Sequence, residues 1–203
     1  VPPIVHLMSV LAKTRRRLLK EGAVRLMVCD LQEAFRPSIH GMHDVLTNAR
    51  MLVRAADILS IPTMVSEQYP KGLKPTVQEI KEVLPNDAYI YPKTKFSMIS
   101  TEDIRNDFVR AGSDTQAVLC GIETHACILQ TAIDLLNANV EVFIPIDAVS
   151  SQRELDSNVA LKSLQEAGAV LTTSESVLLE ILRDSGHPKF REISSLLKER
   201  NAK

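Results

Sequence analysis

The run AVLCGIETHACILQTAIDLL, from Ala117 to Leu136, constrains the fold more than any other stretch of the chain. Its first part, Ala117 to Ile122, is apolar without polar alternation, as expected of a parallel strand covered on both faces. After a sharp turn, a helix is expected from Thr124, the residue placed to cap it, to about Asn137. Cys127 would then lie in the first helical turn, where unpaired N–H groups and the positive end of the helix dipole stabilise a thiolate. The alternative is that Cys127 is a small buried hydrophobe with no chemistry. The choice between the two rests on the rest of the chain.

Taken in order, the remaining segments alternate in the same way. A basic cluster, Lys13, Arg15, Arg16, Arg17 and Lys20, precedes the first strand and reads as a solvated helix face or extension over residues 1–23. Met8 is a possible start, with Val1 to Leu7 as a leader. The domain proper is expected over residues 24–203. Its strands are Val24 to Val28 followed by Cys29 and Asp30, Thr63 to Ser66, Ala88 to Tyr91 closed by Pro92, Gln116 to Gly121 continuing to Ile122, Val140 to Ile146, and Ala169 to Thr172. Helices are expected at Asp44 to Leu59, where Val45, Ala49, Leu52, Val53 and Ala56 form one apolar stripe, and at Val77 to Leu84 and Thr101 to Ala111. Leu155 to Ala167, Ser174 to Arg183 and Lys189 to Lys198 follow. This pattern predicts a three-layer α-β-α fold, Rossmann-like, around a six-stranded mostly parallel sheet, for which the order 3-2-1-4-5-6 is assumed.

Composition excludes several classes. Hydrophobic residues at 45% and charged residues at 24% are those of an ordinary globular chain. A net charge of -1 supplies no global field for nucleic acid or a membrane, so the partner is expected to be a small molecule chosen by a local site. No apolar run approaches the roughly 18 residues of a membrane span. Cys29, Cys120 and Cys127 are an odd set without metal-ligand spacing, which fits a reducing, cytoplasmic compartment. A homo-oligomer is expected, with Phe190, Ile193 and Leu197 as candidate contacts; packing of that helix on its own sheet is the alternative.

In open α/β sheets, ligands bind beyond the carboxyl ends of the strands, where strand order reverses. Asp30, Lys93 and Cys127 follow strands one, three and four. Taken singly, Asp30 could satisfy a helix N-terminus and Lys93 could be a surface charge. Three reactive side chains at three such ends point instead to one site. At this stage VCDLQEAF (Val28 to Phe35), KTKFSM (Lys93 to Met98) and CGIETHACILQTAIDLL (Cys120 to Leu136) resemble the signature segments of the isochorismatase-like cysteine hydrolase superfamily. SEQYPKGL (Ser66 to Leu73) and HPKFREI (His187 to Ile193) are similar to its isochorismatase domain-containing subgroup.

The resemblance implies a catalytic triad of Asp30, Lys93 and Cys127, with Lys93 preferred to Lys95. It also implies an oxyanion hole from the backbone N–H groups of Glu123 and Cys127, presented by a cis bond between Ile122 and Glu123. The chemistry of the trio is self-consistent. A free thiol is mostly protonated at neutral pH, so a neighbouring carboxylate can serve as its base and a lysine can favour the anion. Phe35, Glu67, Gln68, Tyr69 and His125 are candidates for lining the substrate pocket. The segment SEQYPKG lacks the histidines that hold metal in nicotinamidases of the superfamily, so no metal and no cofactor are expected. The expected reaction is cleavage of a C–N bond in a small amide, ureido or nitrile-type substrate. The alternatives are a nucleic-acid binder or nuclease using the Lys13 to Lys20 cluster, and a non-hydrolytic, redox-responsive binding protein on the same fold.

Overall fold

β-Branched and apolar runs too short to be helices pair side by side in the computed structural model, which describes residues 18–99, 104 and 114–201. The strands are β1 (Val24–Cys29), β2 (Thr63–Gln68), β3 (Tyr89–Lys93), β4 (Gln116–Ile122), β5 (Glu141–Pro145), β6 (Val149–Ser150) and β7 (Val170–Thr172). All pair in parallel, in the order β3-β2-β1-β4-β5-β7, with the two-residue β6 joined to the end of β4. This is the expected mostly parallel sheet, its sixth place taken by Val170–Thr172. The helices are α1 (Met42–Ile58), the short α2 (Pro70–Leu73) and α3 (Gln78–Lys81), α4 (Leu129–Asn137), α5 (Glu154–Glu166), α6 (Ser174–Leu182) and α7 (Phe190–Asn201). The helix expected at Thr101 to Ala111 lies outside the described residues apart from Ile104, which is buried. Lys13 to Arg17 and Met8 also lie outside them. No helix among the described residues is long and apolar enough to cross a membrane.

Side-chain alternation along β1 divides the core in two. Val24, Leu26 and Val28 join α1, α6 and α7 on one face of the sheet. Met27 and Cys29 face the other way, against Ala132 and Leu135 of α4 and Leu164 of α5. These are the three layers. β4 is buried at every position, which explains its unalternated sequence.

Three expectations change. Pro92 does not close the third strand: Pro92 and Lys93 lie inside β3, opposite Glu67 and Gln68. β3 occupies the edge of the sheet, where a residue without an N–H removes no ladder bond on its open side. Thr124 is not an N-cap. The preceding Glu123 turns the chain in the left-handed region at φ 57, and Thr124–Ile128 forms a π-helical turn before α4 begins. Finally, Ile193 is fully buried in the chain's own core, with Phe190 and Leu197 packed against it. Ile193 is therefore spent inside the subunit, whereas Phe190 and Leu197 are only partly covered by it.

Candidate active site

The ends of β1, β2, β3 and β4 converge on one buried corner, and each is built differently. β1 stops at Cys29, after which Asp30 adopts φ 53; a short polar side chain tolerates this region better than most. The turn swings the Asp30 carboxylate toward β2, where the Ser66 hydroxyl donates to Oδ1 at 2.7 Å. Lys93 reaches in from the edge strand and donates to Asp30 Oδ2 at 2.7 Å and to Gln68 Oε1 at 2.7 Å. Its Nζ lies 3.7 Å from Cys127 Sγ. Both members of the Lys93–Asp30 pair have side chains only 1% exposed, and Cys127 is 5% exposed.

Electrostatics follow from that enclosure. Burial by itself would lower the Lys93 ammonium, but the facing Cys29, Asp30 and Cys127 more than offset it and hold lysine above its ordinary value. The cation is thus fixed between a carboxylate and a sulfur. Cys29, the last residue of β1, is also part of this corner. Its thiol donates to Asp30 Oδ2 at 3.5 Å. Burial pushes that thiol well up, reinforced by its contact with Cys127 and the nearby Asp30 charge.

A second set of contacts holds these groups in place. Gln32, fully buried, donates to the carbonyls of Gln68 (3.0 Å) and Lys74 (2.6 Å) and accepts from the Gln68 N–H at 2.7 Å. It continues the β1–β2 connection past the last ladder pair and orients the residue that holds Lys93. On the other side, Thr131 of α4 donates to the Cys127 carbonyl at 2.6 Å and accepts the Met98 N–H at 2.9 Å, tying the cysteine turn to the loop that follows Lys93.

The turn itself differs from expectation. No cis peptide bond occurs among the described residues, so the Ile122–Glu123 bond is trans and the direction change is made by the left-handed Glu123. A trans bond avoids the roughly 3 to 4 kcal/mol of a non-proline cis bond. The Glu123 carbonyl accepts the N–H groups of Ala126 (2.9 Å) and Ile128 (3.4 Å), the residues on either side of Cys127. Its carboxylate accepts from Gln152 at 2.8 Å and lies 3.3 Å from His125 Nδ1.

The other pocket candidates separate. Tyr69 is exposed and lies with Lys71, Lys93 and Lys95 around a cavity of about 660 Å³, walled also by Pro70 and Pro92. Gln68 instead binds Lys93. Glu67 accepts from the N–H and hydroxyl of Thr76 and so pins a loop. His125 contacts Ser151 Oγ at 3.0 Å, and Phe35 packs against the core. Sequence reading missed Ser66, Gln32 and Cys29. A polar serine at the buried end of TMVS was the available signal for the first.

Among the described residues, Cys29, Asp30 and Cys127 bring one ligand atom each to within 4.8 Å of one another. A soft metal at those atoms would have to displace the Lys93 ammonium that already balances Asp30 at 2.7 Å. The donor set therefore fits a lysine-balanced acid and thiol site better than a metal centre. A second cavity of about 520 Å³ beside α1 and α7 carries Arg36, Arg50, Arg54 and Arg200 but no cysteine.

Known proteins share this arrangement of elements. Isochorismatase domain-containing protein 2 of Danio rerio is 45% identical over 181 residues, covering 89% of each chain. Isochorismatase domain-containing protein 2A of Mus musculus is 42% identical, covering 90% of this chain and 86% of the mouse protein. A solved structure described as MAR1 ribonuclease from Caenorhabditis elegans superposes with a TM-score of 0.85 at 43% identity, covering 90% of this chain and 93% of the other. The family model of the isochorismatase domain matches residues 25–176, from β1 into α6, and the chain belongs to that family.

Proposed function

We propose that this chain is a cofactor-free cysteine hydrolase that cleaves a C–N bond in a small, negatively charged amide, ureido or nitrile-type substrate. The observation that carries the reading is the single ammonium of Lys93, 2.7 Å from Asp30 Oδ2 and 3.7 Å from Cys127 Sγ. Such a cation favours a carboxylate and a sulfur anion together while supplying no nucleophile itself. Asp30 takes the Cys127 proton, and the sulfur attacks the carbonyl or nitrile carbon. Charge developing on the substrate oxygen or nitrogen is met by backbone N–H groups of the Glu123 to Cys127 turn. Asp30 returns the proton to the leaving amine, and a water that it then activates hydrolyses the thioester. Ser66 and Gln68 are positioning residues in this scheme, acting through Asp30 and Lys93.

Lys71 and Lys95 line the cavity beside the β3 edge, which Lys93 also borders, with Tyr69 and two prolines supplying apolar walls. Lysines around a partly apolar cavity attract an anionic group, which is why the substrate is proposed to carry one. Amides, ureides and nitriles, each with and without a carboxylate, should be assayed with wild type, Cys127→Ala and Lys95→Met. Turnover should disappear in Cys127→Ala, and Lys95→Met should raise KM for the carboxylate series alone. A Cys127→Ala enzyme that keeps its turnover would end the proposal. Because a similar structure carries the name ribonuclease, RNA belongs in the same panel: cleavage by wild type that survives Cys127→Ala and weakens steeply with salt would favour a nuclease instead.

A further inference from the structure

We propose that Cys29 is a resolving thiol for Cys127, so that peroxide converts the site reversibly into a Cys29–Cys127 disulfide. The inference rests on the reading of Cys127 as the reactive nucleophile and adds a second thiol that the hydrolytic scheme does not use. The two sulfurs lie within 4.8 Å of one another, and both residues belong to the same face of the sheet. Cys120 belongs to the opposite face, so the sheet itself separates it from Cys127. Bond formation requires the sulfurs, now within 4.8 Å, to close to about 2.05 Å.

The chemistry balances with hydrogen peroxide as the oxidant. Cys127 gives its proton to Asp30 and its thiolate attacks one peroxide oxygen; an S–O bond forms, the O–O bond breaks, and hydroxide leaves as water by taking that proton back from Asp30. The sulfur is oxidised by two electrons and the peroxide reduced. Cys29 then passes its proton to Asp30 Oδ2, its existing acceptor at 3.5 Å, and attacks the Cys127 sulfur. The S–S bond forms, the S–O bond breaks, and the hydroxide leaves with the proton Asp30 received. Two thiols and one peroxide give one disulfide and two waters. Lys93, 3.7 Å from Cys127 Sγ, stabilises the attacking thiolate in the first step. A buried site limits entry of a second peroxide, so resolution by Cys29 protects Cys127 from irreversible sulfinic acid while switching hydrolysis off.

The full chain should be treated with low equivalents of hydrogen peroxide, blocked with N-ethylmaleimide and mapped without reduction. Wild type should yield a linked peptide pair carrying Cys29 and Cys127, with loss of two hydrogens in the intact mass. Alkylation of Cys127 should vanish and return completely with dithiothreitol. Cys120→Ser should behave as wild type, whereas in Cys29→Ser the same dose should drive Cys127 to sulfinic acid that dithiothreitol does not reverse. The linkage map of wild type decides the matter even if Cys29→Ser fails to fold. Reactive Cys127 that oxidises without joining Cys29 overturns the resolving role and leaves the hydrolase reading standing. Cys127 inert to both iodoacetamide and peroxide overturns both.

Discussion

Replacing Lys93 by Met keeps most of the side chain and removes only its charge, which isolates what the buried ion pair does. With both side chains 1% exposed and the contact at 2.7 Å, the variant leaves the Asp30 carboxylate with the Ser66 hydroxyl at 2.7 Å and the Cys29 thiol at 3.5 Å. Two neutral donors do not compensate an enclosed anion, and breaking a buried pair from one side costs about 3 to 5 kcal/mol. At a urea slope of about 2 kcal/mol per M, the midpoint should fall by roughly 2 M. Adding Asp30→Asn should recover about half of the stability by removing the uncompensated charge. Lys95→Met, at an exposed position, should change stability by no more than about 0.5 kcal/mol. Urea titrations followed by far-UV circular dichroism give all three numbers. A Lys93→Met cost below about 1 kcal/mol would refute the claim that this pair is dry and mutually dependent.

Other outcomes are equally specific. Gly121→Ala should destabilise by about 3 kcal/mol or more, since φ is +130 and a Cβ would lie 2.1 Å from the Cys29 carbonyl oxygen; a wild-type denaturation midpoint would show that β1 and β4 are further apart. Brief iodoacetamide treatment should label Cys127 selectively, because burial pushes the Cys29 thiol well up and the Cys120 thiol to about 12; equal labelling of all three in folded protein would reject the assignment. Cys120 also predicts alkaline sensitivity. Its folded value lies above the ordinary 9.0, so its contribution is full below that pH and is lost as pH rises from 9.0 toward about 12. The alkaline slope should diminish by about 1.4 kcal/mol per pH unit in Cys120→Ala, the Cys29 share remaining, and an unchanged slope would contradict the burial of this thiol.

Local sequence carried the layer order. The unalternated run at Ala117 to Ile122 foretold a strand with every position buried, and the apolar stripe from Val45 to Ala56 foretold α1. Element ends were less legible where neighbours intervene. Pro92 reads as a stop only until β3 is known to be an edge strand, and Glu67 and Gln68 read as loop residues until β3 extends β2 beside them. The apolar positions of α7 looked free for a second subunit because their periodicity is the same whichever surface covers them; Ile193 is covered by the chain's own core.

At the site the division is similar. Residue types at strand ends, together with the family resemblance, were enough to bring Asp30, Lys93 and Cys127 to one corner, since parallel strands deliver their carboxyl ends to one edge whatever the details of packing. Which partners those residues acquire was decided only in three dimensions. Cys29 and Cys127 are far apart in the chain, and their sulfurs meet because β1 lies directly beside β4 with Cys29 opposite Gly121. Gln68 became a partner of Lys93 rather than a pocket wall because the β2–β3 register sets them side by side. Sequence determines which side chains can react and the order in which strands present them; register and the handedness of a few turns, Asp30 and Glu123 among them, depend on contacts across the sheet that no local pattern encodes.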